Sequence, residues 1–197
     1  MKDYKNFVKT FLLNNRNYIY LSFLFLIAFL LIAIFLKVDE NLKQEIIKGA
    51  IEHIKSVNST NSFYLSWNIF KNNLLIWLLI FVSWFFLSFL WILILFANSL
   101  VSVWVFKIWV QKMWILKSLL AILPHGVFEI FAILLCLSLA FKISHLLLKK
   151  AWNFKKYKIK DEILKTFKFF LIFVVPLLFF AAIIEAFVTN FIVNFLL

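Results

Sequence analysis

Thirty-three consecutive residues, Leu74 to Phe106, carry no ionisable side chain. As one α-helix that run would be about 50 Å long, against a bilayer hydrocarbon core of about 30 Å. It is too long for one ordinary crossing and too apolar for a water-soluble domain. Asn98-Ser99 falls inside it and suits a turn. The sequence therefore predicts two helices here, over 73–97 and 100–119. Lys107, Lys112 and Lys117 fall in the second. They must snorkel, face a polar cleft or mark a shallow helix.

Composition points the same way. Apolar residues make up 65% of the 197 and charged residues 15%, where soluble domains run near ~45–50% and ~25%. Twenty-seven Phe and eight Trp beside two Gly and two Pro exclude a disordered or collagen-like chain. Cys136 is the single cysteine, so there is no disulfide framework. The net charge is +12. The basic residues sit between apolar runs without a nucleic-acid-binding motif, which assigns them to topology and lipid head groups.

Three further spans complete the expected bundle. The first covers 18–36 after a basic start. A signal peptide would have a shorter apolar region and a small-residue cleavage site. Lys37-Val38-Asp39-Glu40 supplies none, so this helix is expected to be retained. The others cover 119–141 and 169–197, with Pro176 expected to kink the last. The segment 142–168 holds nine Lys against Asp161 and Glu162, whereas 37–71 holds five Lys against four acids. The positive-inside rule puts the N-terminus and a basic 142–168 loop in the cytoplasm, which needs an even number of crossings between them. The reading is an all-α polytopic bundle of about five spans, a single membrane domain over 1–197, N-terminus in and C-terminus out, in the plasma membrane.

Within the external 37–71 region, segment 40–57 is amphipathic. Leu42, Ile46, Ile47, Ala50, Ile51 and Ile54 share one helical face. It reads as a helix on the outer membrane surface or as a partner-binding helix. Asn58-Ser59-Thr60 fits a glycosylation acceptor. Trp77, Trp84 and Trp91 recur every seven residues, a stripe for packing or lipid contact.

Polar groups inside the membrane are costly, and each needs a reason. The densest cluster is Leu123-Pro124-His125-Gly126-Val127-Phe128-Glu129. Pro124 suits the first turn of a helix, and Gly126 allows close backbone approach. His125 and Glu129, four residues apart, share a helical face. Glu185 is the one acid of the last span, flanked by Ala181, Ala182 and Ala186. Asn72-Asn73 would cap the helix that follows. His125, Glu129 and Glu185 can hold the bundle together, relay a proton, or supply three ligands to a metal if two spans converge. No H-E-x-x-H, G-x-S-x-G or P-loop is present.

At these residues the chain resembles the stage II sporulation protein M family of multi-pass membrane proteins. The resemblance rests on Leu123 to Glu129, on Asn72-Asn73 and Asn98 in the earlier span, and on Ala182-Ile183-Ile184-Glu185-Ala186-Phe187-Val188-Thr189. It covers roughly 70–190. The chain departs from the family pattern in lacking glycine around Asn98-Ser99-Leu100-Val101-Ser102 and in carrying Asn190, not Pro, after Thr189. The resemblance implies a five-span protein in which His125, Glu129 and Glu185 matter for structure or function; with Pro124, Gly126, Thr189, Asn72, Asn73 and Asn98 they make up the candidate polar cluster. It also implies a scaffold, since the namesake anchors cell-wall hydrolases that remodel peptidoglycan during engulfment.

The expected function is a non-enzymatic membrane scaffold that anchors partner proteins, with anionic lipids at 142–168. Neither cofactor nor nucleic acid is expected, and self-association is compatible with the sequence. The alternative is a small proton- or ion-coupled transporter or channel subunit using Glu129, Glu185 and His125. An intramembrane hydrolase ranks below both, for want of a nameable nucleophile and base.

Overall fold

In hydrocarbon every backbone N–H and C=O must be satisfied within the protein, and a helix does this inside one segment. The Leu-, Phe- and Ile-rich runs obey that constraint. The computed structural model describes residues 2–36, 39, 41, 44, 48, 62–83, 89–152, 159–189 and 191–192. Among them there is helix and no strand. In chain order the elements are α1 (Lys2–Asn14), α2 (Arg16–Phe35), α3 (Ser62–Val82), α4 (Phe89–Met113), α5 (Ile115–Trp152), α6 (Ile159–Phe169) and α7 (Val175–Ile184). Wider π turns, Phe170–Val174 and Glu185–Thr189, precede and follow α7.

Five stretches are long and apolar enough to cross a membrane: Arg16–Phe35, Ser62–Val82, Trp91–Gln111, Ile122–Trp152 and Ile159–Thr189. The number agrees with the sequence reading, but several boundaries differ. The turn expected at Asn98-Ser99 is helix, because α4 runs through both residues. Asn98 Nδ2 donates to the Ile94 carbonyl at 3.2 Å, so its amide finds a partner without breaking the helix. Trp77 and Trp91 consequently sit on different helices, both buried, and Trp84 lies outside the described residues. Asn72-Asn73 do not open a helix. α3 begins at Ser62, and the aromatic-rich segment Phe63–Phe70 carries it forward.

α5 is the axle of the bundle. It packs against α2, α3, α4, α6 and α7. Its 38 residues span about 57 Å, well over the hydrocarbon thickness, so it projects beyond the core. The stretch expected as a basic loop is therefore largely helical. Lys142 to Trp152 extend α5 and Ile159 opens α6. Ala132, Ala140, Ala181 and Ala182 are fully buried where helices meet, and their small side chains permit close approach. Around them Leu135, Leu139, Phe169, Phe170, Val174 and Leu178 fill the core. Large apolar side chains such as Leu24, Phe35, Leu75 and Phe180 face outward, as a lipid-facing surface requires.

Two of the connections among the described residues are a single residue each. Asn15 joins α1 to α2, with Nδ2 donating to the Phe11 carbonyl at 2.6 Å. Trp114 alone joins α4 to α5 and has φ 70°, a left-handed conformation unfavourable for a residue with a Cβ. The Lys107 Nζ donates to the Ile34 carbonyl at 3.0 Å. It thus meets the C-terminal end of α2, where unpaired carbonyls and the helix dipole favour a cation. Pro124 lies inside α5, not in a first turn, because the helix starts nine residues earlier. Pro176 follows the first π turn and sits in the first turn of α7. The Ile172 carbonyl, four residues before this proline, receives no proline N–H. The Tyr4 hydroxyl of α1 donates to it at 3.4 Å.

The amphipathic 40–57 segment and Asn58-Ser59-Thr60 fall almost wholly outside the described residues. Residues 153–158 do so as well.

Candidate intramembrane polar site

Three helices bring the polar groups together. Asn73 comes from α3 and His125 and Glu129 from α5. Glu185 and Thr189 come from the π turn after α7. That turn packs against both α3 and α5, and Ala186 is buried at the contact.

Two hydrogen bonds close the site. Asn73 Nδ2 donates to Glu129 Oε1 at 2.6 Å. His125 Nδ1 and Thr189 Oγ1 are 2.8 Å apart, with the donor set by the imidazole tautomer. The four-residue spacing explains why both reach inward from α5. His125 and Glu129 stack on one face, one meeting the last helix and the other α3. Glu185 sits on the π turn that packs against α5, the helix of Glu129.

The π turn supplies a backbone reason for this arrangement. Such turns hold an extra residue per turn and shift the side chains that follow. Here one carries both Glu185 and Thr189. The Glu185 N–H is shared between the Ala181 and Ala182 carbonyls, a three-centre bond at the end of α7.

The other expected site residues take separate places. Gly126 is buried beside His125. A Cβ there would meet Ile122 Cγ2 at 3.2 Å, a tight contact within α5 itself. Asn72 is half-buried and joins neither bond. Asn98 bonds its own helix, α4. His125 meets Thr189 and not a carboxylate, and among the described residues no three His, Cys, Asp or Glu side chains converge as a ligand set. Sequence reasoning missed the pairing of Asn73 with Glu129 and also that of His125 with Thr189. The only sequence signal for the latter was the four-residue spacing of Thr189 from Glu185.

A second polar group, also unforeseen, sits where α1, α2, α5 and α6 meet. The Tyr18 hydroxyl and His145 Nδ1 are 2.7 Å apart. Lys142 Nζ lies 2.9 Å from Glu162 Oε2, and Lys165 Nζ lies 3.1 Å from Glu162 Oε1. Lys142 also stands over the Phe11 ring, 4.7 Å from its centroid. Phe11 in turn stacks on Phe169 at 4.2 Å. The signal for α1 was present in the sequence, since Tyr4, Phe7, Val8, Phe11 and Leu12 follow helical spacing.

A family model described as Stage II sporulation protein M matches residues 21–190. No curated protein and no solved structure matches the chain.

Proposed function

The chain belongs to the stage II sporulation protein M family, and from that premise we propose that it is an integral membrane scaffold anchoring partner proteins at the plasma membrane. In this reading it is not an enzyme. The N-terminus and the basic 142–168 stretch face the cytoplasm, and the C-terminus lies outside. Its partners are membrane proteins and the anionic lipids around that stretch.

The observation that carries the reading is how the intramembrane polar groups are used. Asn73 with Glu129, and His125 with Thr189, each link two segments of the same bundle. Interhelical hydrogen bonds in membranes contribute about 0.6 kcal/mol on average and up to about 1.7. Two of them, with buried alanines beside them, favour a braced bundle over an open passage. A braced bundle suits a platform whose outer faces meet partners. Crosslinking in native membranes followed by mass spectrometry tests this, with wild type beside the Glu129→Ala/Glu185→Ala double variant. The expected result is a specific partner protein on wild type, lost from a variant that still inserts normally. A self-assembled protein with no partner in either sample would refute the scaffold.

One observation favours a second reading, a proton- or ion-coupled transporter or channel subunit. Glu129 lies on α5 and Glu185 on the π turn that packs against it, and acids at depth on adjoining segments are a feature of proton relays. Flux driven by a pH gradient into liposomes decides it. The relay requires flux that Glu129→Gln and Glu185→Gln both abolish.

A further inference from the structure

The basic end of the bundle carries a cleft apart from the intramembrane site. It holds about 300 Å³, at the small end of ligand pockets, which suits a head group and not a whole lipid. Asn14, Asn15 and Tyr18 line it from the α1–α2 corner, Lys142 from α5, and Glu162 and Lys165 from α6. Phe11 and Leu146 complete the lining with apolar surface.

Its charge is not balanced. Two lysines face one carboxylate, and Glu162 binds both. The lysines are not equivalent. The Lys142 side chain is only 12% exposed and is fixed between Glu162 and the Phe11 ring. The Lys165 side chain is 61% exposed, and its pair with Glu162, three residues away, is the weak surface kind. Lys142 therefore neutralises Glu162, and Lys165 can turn to an incoming anion. The Asn14 side-chain amide adds a hydrogen-bond donor along the same wall, and Tyr18 is held there by its contact with His145.

Position identifies the source of the anion. The cleft lies where α6, with its lysines, gives way to the apolar run from Phe169. Leu13, Tyr20 and Leu21 on the neighbouring α1–α2 surface are exposed and offer apolar contact to acyl chains. We propose that this cleft is a site for the phosphate of an anionic phospholipid, with Lys165 as the principal cation and Lys142 and Tyr18 shaping the pocket. The proposal deepens the anionic-lipid part of the functional reading and rests on it. One net positive charge in the cleft matches one phosphodiester, and the acyl chains remain in the bilayer.

Native mass spectrometry of the full-length protein in neutral detergent tests it, by titration with phosphatidylglycerol, phosphatidylcholine or inorganic phosphate. Lys165→Gln is compared with Lys150→Gln, which removes the same charge from an exposed site near the end of α5, and with Lys165→Arg, which keeps it. The expected result is one tightly held phosphatidylglycerol, weakened about fivefold by Lys165→Gln, nearly unchanged in Lys150→Gln and retained in Lys165→Arg. Equal losses in Lys165→Gln and Lys150→Gln would overturn the cleft and leave only diffuse attraction to anionic lipid. No preference for phosphatidylglycerol over phosphatidylcholine would overturn the anionic-lipid reading itself. Inorganic phosphate binding as tightly as the lipid would overturn the assignment to a membrane source.

Discussion

Asn73 and Glu129 are 56 residues apart in sequence, and a 2.6 Å hydrogen bond joins them between α3 and α5. The bond gives a carboxylate in an apolar surrounding a donor it would otherwise lack. Asn73→Leu removes the donor and leaves the acceptor, so it should destabilise the protein by about 1–3 kcal/mol. Adding Glu129→Leu, which removes the acceptor as well, should recover part of the loss, giving a coupling of up to about 1.7 kcal/mol. Thermal unfolding of the singles and the double in one detergent measures it. Strict additivity would mean that the two side chains do not interact.

Thr189 presents its hydroxyl to His125. Thr189→Val keeps the shape and removes the bond, while Thr189→Ser keeps the bond. The valine variant should lose about 0.6–1.7 kcal/mol and the serine variant less. Equal losses would indicate that the methyl group's packing matters and the hydroxyl does not.

Trp114 adopts φ 70° and is 82% exposed. The left-handed conformation costs roughly 1–2 kcal/mol for a residue with a Cβ, and Asn pays less than most. Trp114→Asn should therefore match or exceed wild-type stability, and Trp114→Ile should fall below it. An isoleucine variant as stable as the asparagine one would show that the backbone at this joint relaxes without cost.

Ala182, buried to 0% exposure, sits among the side chains that join α7 to the core. Ala182→Leu has no room, and overpacking of this kind costs about 1–3 kcal/mol. Ala28, outside the buried core on α2, is the control site for the same change. Detergent half-lives of the two variants should differ clearly, and similar half-lives would contradict tight packing around α7.

The helical class and the number of spans were legible because hydrocarbon forces long uncharged runs into helices. His125, Glu129 and Glu185 stood out because ionisable groups are conspicuous in such runs. Their partners were not legible in the same way. The Asn73–Glu129 and His125–Thr189 pairs depend on how three helices rotate against one another, and hydropathy carries no such information. The Asn98 turn was misjudged because an amide can satisfy itself on its own helix, as the Ile94 contact does. The joint at Trp114 had no signal, since left-handed positions usually announce themselves with Gly or Asn. α1 was hidden by its lysines, which dilute its apolar face in any average.

The same one-residue joint bears on how the protein is made. α4 and α5 pack against each other and share no slack at Trp114. Neither can settle at its own depth while the other waits, so the two would enter the bilayer as one hairpin. At that turn a protease, which needs several extended residues to grip, finds a single residue between two helices.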